Sequence, residues 1–345
     1  MHVLFIGGTG LISTAIARQL LEAGHQVTLF NRGKSENRLP AGADVIQGDR
    51  KDFAAFEATF ADKTFDVVVD MVAFHPDESA CAARAFTGRT AQFIHCSTVC
   101  VYSGPVSQIP TTETEPFHSI GNYGKNKIAC EELLMREHEN NGFPVTIMRP
   151  SHSYGEGGAL TRSFGPATGF IHRLRQNQPT IVQGDGNSLW ASCHVDDVAR
   201  GFIGVMGNQK CLGEAYNITG EEWMTWNSYY EQVAEVVGGS FEAVHIPTDV
   251  LREAAPDWAN GTHEIFAWPS IFDVSKIKRD TDYAGQTISW RQGVERTVAW
   301  LESQGKLSAD ESEEAQKLER EDRLITSWRE QIEELKRQAN EAASH

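Results

Sequence analysis

MHVLFIGGTGLIS, residues 1–13, is the stretch that decides the fold. Val3, Leu4, Phe5 and Ile6 form an unbroken apolar run, the pattern of a parallel strand buried on both faces. Gly7, Gly8 and Gly10 follow at once, and an amphipathic segment opens at Leu11. Strand, glycine turn and helix in this order predict a dinucleotide-binding start. Gly7 permits the tight turn, Gly10 has no Cβ to obstruct a pyrophosphate, and the helix from Leu11 aims free N–H groups at that anion. Thr9, Leu11 and Ile12 complete the expected cradle. The third glycine of the usual spacing is Ser13, a residue small enough for close helix–strand packing.

Outward from this start, apolar runs alternate with amphipathic segments. A helix over 11–23 ends at Gly24, and Val27 to Phe30 forms a second strand running into Asn31, Arg32, Gly33 and Lys34. An acid at this strand end would accept bonds from both adenosine ribose hydroxyls and favour NAD; an Arg accommodates a 2′-phosphate. There is no acid here, so NADP is favoured, with NAD as the alternative. Arg32 stacked on adenine or lying in water is the plainer reading. Val45 and Ile46 lead to Asp49, placed to bond the adenine amino group. Phe65 to Asp70 is a fourth strand, followed by Ala73, which lets a cofactor approach the backbone. Phe93 to His95 is a fifth strand, and Pro144 to Met148 a sixth. The predicted fold is α/β, a doubly wound parallel sheet with the motifs at the carboxyl ends of its strands.

The 345 residues carry a net charge of −16, from 47 acidic and 31 basic side chains. That balance speaks against a general nucleic-acid surface. The six cysteines form no CxxC pair and fit the reduced core thiols of a cytoplasmic protein. No apolar run reaches membrane-spanning length, and neither a signal peptide ahead of the first strand nor a metal site is expected.

A helix over 122–141 carries Tyr123 and Lys127, four residues apart and so on one face. A phenol titrates near pH 10, too high for a base at neutral pH. A lysine ammonium about 4 Å away would favour the phenolate by up to roughly 4 kcal/mol, or about three pKa units, at an effective dielectric of about 20. Tyr123 would then take a proton from a substrate alcohol while hydride leaves for the cofactor. Lys127 would also hold the nicotinamide ribose, and Thr98, at the fifth strand's end, would orient the substrate oxygen. A surface tyrosine with a nearby lysine is the plainer alternative.

With these residues in place, the chain resembles the extended short-chain dehydrogenase/reductases, the NAD-dependent epimerase/dehydratase group. GGTGLIS matches the family's GGTGFIG, CSTVCVYSG (96–104) its SSxxVYG, YGKNK (123–127) its YxxxK, and RPSHSYG (149–155) its RPxNVYG. Gly184 to Gly186 and His194 to Asp197 match its GDG and HVDD segments. The resemblance implies a Rossmann sheet, catalytic Thr98, Tyr123 and Lys127, adenine bound by Asp49, and Pro150 and His152 near the nicotinamide. Val99 and Cys100 stand where 4,6-dehydratases carry an acid pair, which argues against water elimination. His152 replaces an Asn, and touches nicotinamide or substrate or else simply packs. Trp190 replaces an Arg that clamps a nucleotide diphosphate, so a simpler sugar or polyol is expected, with Arg162, Arg173 or Arg175 as other phosphate contacts. Asn31-Arg32-Gly33 with DVVVDMVAF resembles an atypical branch that includes chloroplast stem-loop RNA-binding proteins.

The expected organisation is a dinucleotide-binding domain over 1–150, with 183–210 returning to it. A smaller substrate lobe takes 151–182 and 211–305, and Asp196 caps a helix from Val195. Trp190, Trp223, Trp258 and Trp268 either wall a carbohydrate site or pack the lobe. Residues 306–345 form a charged amphipathic helix that docks on its own subunit or a partner's, leaving a homodimer open. The expected activity is an NAD(P)-dependent epimerase or oxidoreductase acting on a sugar-like secondary alcohol. A non-catalytic or RNA-binding protein on the same scaffold is the alternative.

Overall fold

The apolar run after Met1 is an inner strand of a seven-stranded sheet in the computed structural model, which describes residues 1–34, 40–165, 168–307 and 312–343. The strands are β1 (His2–Ile6), β2 (Gln26–Asn31), β3 (Asp44–Gln47), β4 (Phe65–Asp70), β5 (Thr90–Cys96), β6 (Val145–Pro150), β7 (His152–Tyr154), β8 (Thr180–Gln183), β9 (Leu189–Trp190), β10 (Ser192–His194), β11 (Glu214–Ile218), β12 (Met224–Thr225) and β13 (Ala243–Ile246). The helices used below are α1 (Leu11–Glu22), α2 (Phe53–Phe60), α3 (Pro76–Phe86), α4 (Asn122–Asn141), α5 (Gly169–Arg175), α6 (Val195–Val205) and α7 (Trp226–Val236).

The sheet runs β3-β2-β1-β4-β5-β6-β11, every neighbouring pair parallel. Chain order reverses between β1 and β4, and at such a switch point the loops leave a crevice beyond the strand ends. The alternation of side chains divides the core. Val3, Phe5, Val67 and Val69 face α1 and α6, while Leu4, Ile6, Val68 and Phe93 face α2, α3 and α4. Each such fully buried side chain contributes about 1.5–3 kcal/mol. α4 stops at Gly142, which takes a φ of 69° as left-handed caps require.

The chain separates into two compact units. The first comprises Met1–Gly158, Ala191–Trp223 and Ser270–Gly293; the second comprises Ala159–Trp190, Met224–Pro269 and Val294–His345. β11, expected in the lobe, is instead the edge strand of the central sheet, paired with β6 from Glu214↔Thr146 to Ile218↔Pro150. Its backbone groups gain a ladder there that an isolated lobe strand would lack. α6 is capped not by Asp196 but by His194, whose Nδ1 accepts the Asp196 N–H at 3.2 Å.

In the second unit β8 pairs with β13 in parallel and β9 with β12 antiparallel. The terminal helix Ser312–Ala343 docks on this unit. Ile325 is buried beside Val244 and Ile246, and Trp328 Nε1 donates to the His245 carbonyl at 3.0 Å. Leu335, on the same apolar stripe, is exposed. No helix among the described residues is long and apolar enough to cross a membrane.

Candidate active site

Two adjoining cavities of about 470 and 360 Å³ lie at the carboxyl ends of the first unit's strands and share Gly7, Gly10, Val72 and Phe74. Thr9, Asn31, Arg32, Lys34 and Asp49 line the larger; Leu11, Ile12, Thr98, Tyr123, Lys127 and Pro150 line the smaller. The expected cradle, adenosine and catalytic residues therefore fall along one groove. Gly7 has a φ of 90°, and a Cβ there would come within 2.4 Å of Val72 Cγ1, so only glycine fits. Ser13 does more than fit its position: its Oγ accepts the Gly10 N–H at 2.9 Å and lies 3.3 Å from the Gly7 carbonyl.

At the adenosine end, Asn31 Oδ1 accepts the Gly33 N–H at 2.7 Å, which holds the turn that presents Arg32. Arg32 and Lys34 are exposed. Asp49 accepts the Lys51 N–H at 2.9 Å. Beneath it Arg50 is buried, ion-paired with Asp70 at 2.8 Å and donating to the Glu78 carbonyl at 2.6 Å.

At the other end, Thr98 Oγ1 accepts the Cys100 N–H at 3.2 Å, and Thr98 and Tyr123 line the same cavity. Tyr123 as a whole is 46 % exposed, yet desolvation pushes its pKa above the usual phenol range. Cys96 and Cys100 push the same way, and the Thr98 hydroxyl opposes them. The expected lowering by Lys127 is not found. Its buried Nζ donates to the Ala73 carbonyl at 2.8 Å and the Cys96 carbonyl at 2.7 Å, and lies 4.9 Å from the Phe74 ring centroid. Ala73, expected beside the cofactor, is fully buried and lines neither cavity; its carbonyl instead anchors that lysine. The six cysteines are free thiols, and burial raises Cys96 to about 11.

Other expected contacts lie elsewhere. His152 does not line the groove; its Nδ1 is 3.1 Å from Ser192 Oγ, and burial lowers its pKa to about 4, so the ring is neutral at pH 7. Arg162, expected on a substrate phosphate, is buried in the second unit and gripped by Glu321 at 2.8 and 2.7 Å. Arg173 donates to Asp322 at 2.7 Å, and Arg175 is paired with Glu302. Trp190 is 3 % exposed, with ring centroids 4.7 Å from Trp226 and 5.2 Å from Phe266. It is a core indole of its unit, whereas Trp258 is partly buried against Phe164. Glu156, His194 and Asp196 come together, but Arg18 holds Asp196 at 2.5 Å and the Asp196 N–H occupies His194 Nδ1. Sequence reasoning gave no role to Phe74, which borders both cavities, or to Arg50, although Arg50 directly follows Asp49.

The model of the NAD dependent epimerase/dehydratase family matches residues 3–219. The chain belongs to that family. The matched span holds the whole groove together with Thr98, Tyr123 and Lys127, and stops before the terminal helix. Among relatives of this epimerase/dehydratase-family protein, the chloroplast stem-loop binding protein of 41 kDa b from Arabidopsis thaliana is 31% identical over 250 residues, 68% of this chain and 63% of that one. The matched stretch therefore spans less than two thirds of that relative's length. The 2′-dehydrokanamycin reductase of Streptomyces kanamyceticus is 24% identical over 307 residues, covering 89% and 86% of the two chains. The fold is shared with the UDP-glucose 4-epimerase of Thermotoga maritima, solved with UDP-glucose: TM-score 0.72, 23% identity, 88% of this chain and 99% of that one.

Proposed function

We propose that this family member catalyses NADP-dependent oxidation–reduction at a secondary alcohol carbon of a sugar or sugar derivative. The observation that carries the reading is the convergence of Thr98, Tyr123 and Lys127 on one end of a groove whose floor admits no Cβ at Gly7. A nicotinamide nucleotide bound there supplies the acceptor or donor of hydride. Gly7, Gly10 and the first turn of α1 would hold its phosphates, and Arg32 and Lys34 a 2′-phosphate. Thr98 orients the substrate oxygen. Tyr123, kept protonated by burial, stands ready to give its proton to the oxygen of a carbonyl under reduction, and takes a proton back in the reverse direction. Reduction is the direction that needs no prior loss of the Tyr123 proton. A carbonyl intermediate held and re-reduced on its other face gives epimerisation; one released gives a dehydrogenase.

The test incubates the purified chain with NADPH and a panel of keto-sugars, with NADP⁺ and the matching alcohols, and with nucleotide sugars. Nicotinamide absorbance reports net redox, and proton NMR of the sugar reports epimerisation. Turnover of a panel member that drops at least about a hundredfold in Tyr123→Phe supports the reading. A substrate turned over equally well by Tyr123→Phe, or failure of the protein to bind either nicotinamide nucleotide, overturns it.

A further inference from the structure

Tyr123 and Lys127 share their face of α4 with a third residue, Glu131, one further i,i+4 step along. Glu131 is 1 % exposed and sits in a buried network that ties three elements together. Its carboxylate accepts the Ser97 hydroxyl, from the β5 exit directly before Thr98. It also accepts Arg149 from β6, through Nε at 3.1 Å to each oxygen and Nη2 at 2.5 Å. Arg149 Nη1 reaches on to the Tyr102 hydroxyl, and its guanidinium lies 5.1 Å from the Phe117 ring centroid. Every buried polar side-chain atom of Ser97, Tyr102, Glu131 and Arg149 has a partner, whereas Arg50 Nε and Nη1 and both ring nitrogens of His95 have none among the described residues.

Desolvating an ion pair costs several kcal/mol per ion, so a buried pair is poor evidence of net stability. A fully satisfied network does fix geometry, because each member holds the next in one orientation. Here the fixed parts are the α4 face bearing Tyr123 and Lys127 and the strand end bearing Thr98. We infer that Glu131, acting through Ser97 and Arg149, is a positioning residue that sets Tyr123 and Lys127 against Thr98 at the nicotinamide end of the groove. The inference rests on the nucleotide-dependent reading above. Ser97 and Lys127 line the smaller cavity and not the larger, so the brace acts on one half of a bound nucleotide.

That asymmetry gives the test. The full-length chain and its Glu131→Gln and Ser97→Ala variants are titrated with NADPH and, separately, with 2′,5′-ADP, the adenosine half alone. Both variants should bind NADPH more weakly, Glu131→Gln by about five- to tenfold, while 2′,5′-ADP affinity stays within about twofold. Equal weakening of both probes would reduce Glu131 to a general structural role, and unchanged NADPH affinity in the variants would remove any role; either result overturns the inference. If Glu131→Gln does not fold, Ser97→Ala decides, because it leaves the ion pair intact. A wild-type chain that binds neither probe fails the nucleotide reading itself, before the variants are compared.

Discussion

The Lys127 ammonium hangs from the Cys96 carbonyl at 2.7 Å, at the end of the strand that leads to Thr98. With the second bond to Ala73 at 2.8 Å, it closes the ends of β4 and β5. Lys127 is therefore part of the fold as well as of the site. Lys127→Met would leave two acceptors at the strand ends without their charged donor, at a cost of about 3 kcal/mol. Urea unfolding of the nucleotide-free protein should show that loss. Unchanged stability would mean that the lysine swings free and serves only the phenol and the ribose.

Arg32 is the expected reader of a 2′-phosphate. Arg32→Ala should weaken NADPH about tenfold, roughly 1.4 kcal/mol, and leave NADH within about twofold. Asn31→Asp should move preference toward NADH, since the new carboxylate keeps the oxygen that accepts the Gly33 N–H and adds charge where the ribose hydroxyls would lie. Fluorescence titration with both nucleotides checks the pair. Parallel losses in Arg32→Ala would show that Arg32 stacks on adenine and does not read the phosphate.

His95 makes the stability of the first unit sensitive to acid. The ring is fully buried on β5 between Asp70 and Ile147, and neither nitrogen has a hydrogen-bond partner among the described residues. Burial, then the charges of Lys127 and Arg50, hold its pKa well below the ordinary histidine value. A histidine depressed in the fold contributes stability above its unfolded pKa of about 6.5, and that stability is lost as pH falls toward the folded value. The loss sets in as pH falls from about 6.5 toward 5. His95→Leu, similar in size and uncharged, should remove this component, so the variant gains on wild type as the medium is acidified. Parallel urea stability curves for the two proteins between those pH values would exclude the effect.

The sequence made local features legible and hid those that depend on distant pairing. β1, the glycine turn and α1 could be read because apolar runs and glycines are local patterns. The Tyr123–Lys127 spacing could be read because a helix repeats every 3.6 residues. The same period would have reached Glu131, but its Arg149 partner lies on another strand and no spacing reveals it. β11 reads as a strand, while its place at the sheet edge is a pairing with β6 that the sequence does not display. Lys127 was expected to act on the phenol, because nothing in a helix pattern shows that two carbonyl ends compete for its ammonium. Arg162 was misread for the same reason.

Arg162 and Glu321 are 159 residues apart in sequence, and the charge-rich terminal segment gave no sign that one of its carboxylates would be buried. Glu321 is 1 % exposed; besides Arg162 it lies 3.7 Å from Arg173 Nε and accepts the Ile181 N–H at 3.2 Å. Burial alone would raise its pKa, but the two arginines hold it below the ordinary carboxylate range. Its contribution is therefore complete above about pH 4.5 and falls away as acid protonates it. Glu321→Gln leaves the buried Arg162 guanidinium without its counter-charge, which should cost the second unit about 3–5 kcal/mol at neutral pH. Replacing both partners, Arg162→Met with Glu321→Leu, removes the stranded charge at that position. Arg173 keeps Asp322 at 2.7 Å, so the double variant should recover most of the loss. Thermal unfolding of the three proteins decides the matter. A single Glu321→Gln variant as stable as wild type would show that the terminal helix is held by Ile325 and Trp328 alone.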